Sequence, residues 1–265
     1  MHSGKGLEHD LMVKMAPMNL LAFDTSTDAM SIAVERGVGA AFGAGGTDSM
    51  GAAPQVWVHT GAGGAQASAT LIPAIQQLMQ QAHLRFDELD AIAFGRGPGS
   101  FTGLRTACSV AQGLAFGAGV PVLPVDTLLA VSEEARLDAS MGVPDRFRVL
   151  ATLDARMDEV YAANYEFNSG LWTKYKGYSL ISPENLALED GWAIAGNAFA
   201  AYGDRMPASQ AIRIHALPTA SAMLRLAPVL LAAGHAAPAD QALPIYIRDK
   251  VAKTTQERLL EKAAA

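Results

Sequence analysis

One pattern occurs twice in this chain, and it restricts the fold more than any other feature. "LLAFDTSTDAMSIAVE" from Leu20 and "VLATLDARMDEVYAANYE" from Val149 each read as apolar strand, aspartate, three residues, aspartate, strand. Asp24 aligns with Asp154 and Asp28 with Asp158, an offset of 130 residues in a chain of 265. Self-similarity at such a spacing is what an internal duplication leaves. Aspartate also closes turns independently, because its carboxylate bonds to nearby backbone N–H groups. Either a duplicated α/β chain or two unrelated hairpins accounts for the pattern on its own.

The segments between these hairpins read as further α/β structure. "QVWVHT" predicts a third strand, and "SATLIPAIQQLMQQAHL" places Leu71, Ile75, Leu78 and Ala82 at helical spacing, with Ser68 or Thr70 as cap and Pro73 near the first turn. "LDAIAFG" is a strand, "FTGLRTACSVAQGLAFGAG" a helix of mostly small residues, and "VPVLPVDT" and "LLAVSEEARL" a strand and a helix. Later come an apolar helix, "LPTASAMLRLAPVLLAAG", and a strand or extended tail, "LPIYIRDKV". Residues 1–17 read as a loose extension, and the Gly/Ala-rich Gly37 to Pro54 as a long connection.

Composition excludes several classes. A net charge of −6 argues against a broad electrostatic grip on nucleic acid, and no lysine lies between Lys14 and Lys174. The single cysteine, Cys108, permits no internal disulfide and no cysteine metal cluster. No apolar run reaches the ~18 residues of a membrane helix, and a cytosolic protein is expected. The six histidines show no His-Glu-x-x-His spacing, and no Gly-x-Ser-x-Gly elbow occurs.

The glycine-rich "GRGPGSFTGLR", from Gly95 to Arg105, follows a strand and opens a helix. It is not a phosphate loop of the Walker kind: Gly95, Gly97 and Gly99 are followed five positions on by Ser100, Thr102 and Leu104, and no lysine is nearby. The dinucleotide spacing fails at Ser100. Two uses remain. The helix start, capped by Ser100 or Thr102, offers N–H groups to an anion, or the glycines let two backbones approach closely. Gly113, in the interior of the helix that follows, points to close packing, because glycine there costs ~1 kcal/mol relative to alanine. "DTSTD" either cradles phosphate or simply closes the hairpin.

Taken together, "LLAFDTSTDAMSIAV", "AFGRGPGSFTGLRTACSVAQGLAFGAGVPVLPVDTL", "ATLDARMDEVYAANY" and "PIYIRDKVA" resemble the bacterial TsaB family, also called YeaZ. The resemblance implies a two-lobed actin/Hsp70-like fold of duplicated RNase-H-like halves, with mixed sheets flanked by helices. Residues 18–127 would form the N-terminal lobe, 128–250 the C-terminal lobe and 251–265 a tail. It further implies a non-catalytic scaffold that binds the TsaD threonylcarbamoyltransferase and, through that complex, the ATPase TsaE, or that pairs with a second copy of itself. tRNA would enter only as the complex's substrate. No cofactor is implied for the chain alone; ATP or ADP would sit at the partner interface.

On this resemblance the partner surface is built from helices 68–83 and 100–117, with Leu71, Ile75, Leu78, Leu104, Ala111 and Gly113 as its contacts. Asp24, Thr25, Ser26, Arg96, Ser100 and Arg105 are the candidates for an interface anion or nucleotide. Ala67-Ser68 stands where many relatives carry His-Ser, which leaves no metal function there. The competing expectation is an autonomous ATPase or small-molecule kinase of the same superfamily that uses Asp24 and Asp154.

Overall fold

A computed structural model describes residues 17–37, 53–138, 142–206 and 211–248. The loose extension expected at 1–17, most of the connection expected at 37–54 and the tail at 251–265 lie outside the described residues, apart from their inner ends. The first sheet contains β1 (Leu20–Asp24), β2 (Ala29–Arg36), β3 (Gln55–Ala62), β4 (Ala91–Gly97) and β5 (Val122–Asp126), in the order β3-β2-β1-β4-β5. The second contains β6 (Arg146–Asp154), β7 (Val160–Asn168), β8 (Leu171–Lys174), β10 (Ala193–Gly196) and β11 (Arg213–His215), with β9 (Ser179–Ile181) paired to β7.

Read from β8, the second sheet runs β8-β7-β6-β10-β11, which repeats the first strand for strand. In both, a hairpin with a third antiparallel strand is followed by two strands parallel to the first. Of the two accounts of the Asp-x3-Asp pattern, the topology supports duplication: Asp24 ends β1 and Asp154 ends the equivalent β6.

The helices break the symmetry. The first half carries α1 (Ala67–Gln81) and α2 (Phe101–Ala118), whereas the position equivalent to α2 in the second half holds only the five-residue α4 (Ala198–Tyr202). α3 (Thr127–Arg136) leaves the first sheet and packs on the second, with Leu128, Val131 and Ala135 against Val149, Ala151 and Leu153. α5 (Ala220–Ala232) makes the reverse journey, burying Ala220, Met223 and Ala227 against Leu20, Ala22, Ala91 and Ala93 of the first sheet. α5, which the expected division at residues 127/128 assigns to the C-terminal lobe, packs on the first sheet.

β1 is apolar from Leu20 to Phe23, as suits a strand with both faces covered, and ends on Asp24. Leu21 and Phe23 pack beneath α1 and α2, while Leu20 and Ala22 lie against α5. Burying each such large side chain contributes about 1.5–3 kcal/mol. The small residues on the α5 side allow that helix to lie close.

Glu133 on α3 ties the two halves together. Its buried carboxylate receives Arg136 through two bonds of 3.0 and 2.9 Å, Trp172 Nε1 at 2.9 Å and Arg225 Nε at 3.1 Å. A charge removed from water is tolerable only when its acceptor positions are filled in this way.

Two local expectations are corrected. α1 is preceded by a short 3-10 turn, Gly64–Gln66, so Pro73 lies inside the helix and not in its first turn, and Gln66 holds the cap position. At α2, Ser100 occupies the cap position but its hydroxyl makes no cap bond; its N–H instead donates to Ser26 O at 2.7 Å. Thr102 sits inside the helix.

Candidate functional site: the interlobe cleft and the free face of α1 and α2

The two aspartate turns face each other across a cleft of about 290 Å³, at the small end of ligand pockets. One wall holds Ser26, Thr27, Asp28 and the start of α2; the other holds Asp154, Arg156, Met157 and Asn197. Residues Ile245 to Arg248 also line it.

The geometry of the turns follows from aspartate chemistry. Asp24 Oδ1 accepts the Ser26 N–H at 2.8 Å and the Ser26 hydroxyl at 2.7 Å, and Asp154 Oδ1 accepts the Arg156 N–H at 2.7 Å. The environments then diverge. Asp24 is buried and its Oδ2 has no hydrogen-bond partner, so desolvation pushes its pKa up to about 6 even though the two bonds from Ser26 oppose the shift. Asp154 receives the Arg156 guanidinium at 3.1 Å and the Tyr202 hydroxyl at 2.8 Å, while its N–H donates to Asn197 Oδ1 at 2.9 Å. Burial first, then the Asp154 bond, raises the Tyr202 pKa to about 12.

The glycines of the loop are explained by close approach. A Cβ at Gly95 would stand 1.8 Å from Asp24 Oδ2, one at Gly99 2.6 Å from Ser26 Cβ, and one at Gly103 1.8 Å from the Thr25 carbonyl oxygen. The loop and the first aspartate turn interlock, and only glycine fits between them.

The six residues expected at one anion or nucleotide site are not brought together. Asp24 and Thr25 are buried, with Thr25 Oγ1 donating to Gly103 O at 2.7 Å; neither lines the cleft. Ser26 and Ser100 do line it. The Arg96 carbonyl accepts the Ile245 N–H, and its side chain acts on Tyr178 and Tyr165, whose hydroxyls converge on Asp126 Oδ2 at 2.7 and 2.6 Å. Arg105 lies on the exposed face of α2, 3.8 Å above the Phe101 ring, and its Nε donates to the Tyr246 hydroxyl at 3.1 Å.

The expected partner contacts are corrected in the same way. Leu71, Ile75, Leu78, Leu104 and Ala111 are buried in the chain's own core, so they have no surface to offer a second protein. They follow the helical period that faces the sheet. Gly113 points outward, and a Cβ added there would meet nothing within 4 Å, so its place is not explained by internal packing. The free face carries different residues: Ile72 on α1 and Phe116 on α2, which is 84% exposed and sits between Gly113 and Gly117 along the helix. Both fall one position off the buried stripe. That offset was the available signal, and it marks them as side chains that the core cannot cover.

Arg156, Tyr246 and Arg248 carry no signal of their own in the sequence. Their partners are remote in sequence and only the fold supplies them: Asp28 for Arg156, Arg105 for Tyr246, Glu159 for Arg248.

Two sheets of one strand order, each opening on an aspartate turn toward a shared cleft, define the two-lobed actin-like class. Residues 58–264 match a family profile described as TsaD, tRNA N6-adenosine threonylcarbamoyltransferase. The chain is 34% identical over 249 residues to the tRNA threonylcarbamoyladenosine biosynthesis protein TsaB of Haemophilus influenzae, covering 89% of this chain and 96% of the relative. It is 31% identical to the Escherichia coli protein of the same name at the same coverage of each chain. The solved structure of YeaZ from Pseudomonas aeruginosa superposes with a TM-score of 0.71 at 34% identity, over 87% of this chain and all of that one. The chain belongs to the TsaB/YeaZ family. No helix among the described residues is long and apolar enough to cross a membrane.

Proposed function

We propose that this chain is a non-catalytic subunit of the apparatus that forms threonylcarbamoyladenosine in tRNA, and that it docks a TsaD-type transferase through the free face of α1 and α2. The observation that carries this reading is Phe116, 84% exposed beside Gly113 and Gly117 on a long helix that its equivalent in the second half lacks. An apolar side chain next to a row of small residues suits helix-on-helix packing, because the small residues let a second backbone approach. In the absence of the transferase the same face serves pairing with a second copy. A TsaE-type ATPase joins through the complex, tRNA is the complex's substrate, and ATP or ADP belongs to the partner interface.

The state of the two aspartates supports the non-catalytic part. A carboxylate that orients a reacting water or a cation must reach it, whereas Asp24 is buried outside the cleft lining and Asp154 is held by Arg156 and Tyr202. The competing reading, an ATPase or kinase using both aspartates, asks Asp24 to emerge from burial and Asp154 to abandon Arg156 and Tyr202. Reconstitution decides between the two: threonylcarbamoyladenosine formation by the TsaD- and TsaE-type proteins should depend on adding this chain and should survive Asp154→Asn. ATP turnover by the isolated chain that Asp154→Asn abolishes would overturn the proposal.

A further inference from the structure

The chain after α5 makes successive contacts with both halves of the molecule. The Ala242 carbonyl accepts Gln112 Nε2 at 2.9 Å and Cys108 Sγ at 3.1 Å, both from α2. Three residues on, the Ile245 N–H donates to Arg96 O at 2.6 Å. Tyr246 then packs on Phe101, ring centroids 5.1 Å apart, and accepts from Arg105. Ile247 joins the core of the second half. Arg248 lies on the turn between β6 and β7: its guanidinium binds the Glu159 carboxylate, donates to Arg156 O at 3.3 Å and approaches Met157 Sδ at 3.2 Å.

This last contact differs from the other charged link across the cleft. Arg156 meets Asp28 where both side chains are open to water, at 67% and 86% exposure, and such pairs contribute little. The Arg248 side chain is only 14% exposed. Its partner Glu159 is 36% exposed, so the pair is half-buried, and the part that resists release is the covered guanidinium, which would lose its counter-charge.

The turn that receives Arg248 is itself unusual. Arg156, Met157 and Asp158 have φ of 60, 56 and 59°, three consecutive non-glycine residues in the left-handed region. That conformation is unfavourable for each of them and persists only where its surroundings enforce it. The turn is closed by its own bonds, Ala155 N–H to Glu159 O at 2.9 Å, Glu159 N–H to Arg156 O at 3.1 Å and Arg156 N–H to Asp154 Oδ1 at 2.7 Å, and Arg248 braces it from outside on the Arg156 carbonyl.

We propose that residues 242–248 form a strap, and that Arg248 is the latch by which it holds the two lobes closed over the cleft. Anchored on α2 by Ala242 and Tyr246 and on β4 by Ile245, the strap lines the cleft and fastens to the second lobe through a strained turn. Opening the cleft requires the latch to be released. The β1–β2 turn on the opposite wall, joined to the β6–β7 turn by the exposed Asp28–Arg156 pair, then loses cover.

That remote turn makes the proposal testable by hydrogen exchange on the full chain. In Arg248→Ala the amides of residues 245–247 and 155–160 should exchange about tenfold faster or more. Residues 26–29 and the Ser100 N–H should accelerate as well, while β1 and β4 keep their protection. The double variant Arg248→Glu with Glu159→Arg should restore slow exchange at all of these places. Faster exchange confined to 245–247 and 155–160 would show tail fraying without lobe opening and would overturn the proposal. Unchanged exchange, or a uniform loss of protection that includes β1 and β4, would overturn it equally.

Discussion

Asp24 and Asp154 each accept the N–H of the residue two positions on, at 2.8 and 2.7 Å, from equivalent ends of equivalent strands. The two halves thus preserve one turn chemistry and differ in what surrounds it. In the first half the second carboxylate oxygen is sealed without a partner; in the second it is met by arginine.

That difference predicts a pH signature. The folded-state pKa of Asp24 is raised from 3.8 to about 6, so the native state binds more protons than the unfolded state between those values. Its relative stabilisation is present below 3.8 and is lost as pH rises through about 6. The cost at neutral pH is on the order of 3 kcal/mol. Asp24→Asn keeps an oxygen for the Ser26 bonds and removes the charge. The difference in unfolding free energy between variant and parent should therefore grow in the variant's favour from pH 4 to pH 7, as measured by denaturant titration. A constant difference would contradict the burial of an ionised Asp24.

α2 contains its own control. Gly103→Ala drives a Cβ to 1.8 Å from the Thr25 carbonyl oxygen, a backbone atom that cannot swing away, and should destabilise by about 1–3 kcal/mol or more. Gly113→Ala meets nothing and should stabilise by up to ~1 kcal/mol through helix propensity. Thermal melts of the two variants should shift in opposite directions.

Phe116→Asp should leave the melt within about 0.5 kcal/mol of the parent, since the ring lies outside the core. Co-elution with a TsaD-type transferase, and self-association in its absence, should be lost. Normal co-elution of this variant would remove the α1–α2 face from consideration. Leu71→Ala makes the contrasting prediction: a loss of about 2–5 kcal/mol from a cavity in the core.

Glu133→Ala should be among the most damaging polar substitutions. It leaves the buried Arg136 guanidinium without its carboxylate, while Arg225 keeps Glu134, and removing one partner of a buried pair typically costs about 3–5 kcal/mol. Because the carboxylate joins α3, β8 and α5, urea unfolding should show a lower midpoint for both halves together, read by Trp172 fluorescence and by far-ultraviolet circular dichroism.

The strands and helices were legible because their periods are local. Leu71, Ile75 and Leu78 keep helical spacing, and β1 is apolar from Leu20 to Phe23, as suits a strand with both faces covered. The duplication was half legible. Asp24 and Asp154 suggested it, and only the matching order of two sheets distinguished it from coincidence. The role of "GRGPGSFTGLR" could be narrowed from spacing to a tight turn or an anion site, with Walker and dinucleotide loops excluded.

What the linear chain could not disclose was which face of a helix remains uncovered, or which distant group meets which. The stripe Leu71, Ile75, Leu78, Leu104 and Ala111 is apolar whether it meets a sheet or another protein, so the pattern alone does not choose. The fold chooses by covering it, leaving Phe116 and Gly113 outside. Likewise Asp24 and Asp154 share a motif, yet one becomes a sealed carboxylate and the other an ion-paired one, because desolvation and Coulomb attraction depend on neighbours brought from elsewhere. Local sequence determined the elements and their repeat; tertiary packing alone decided exposure, charge pairing and the path of residues 242–248 across the cleft.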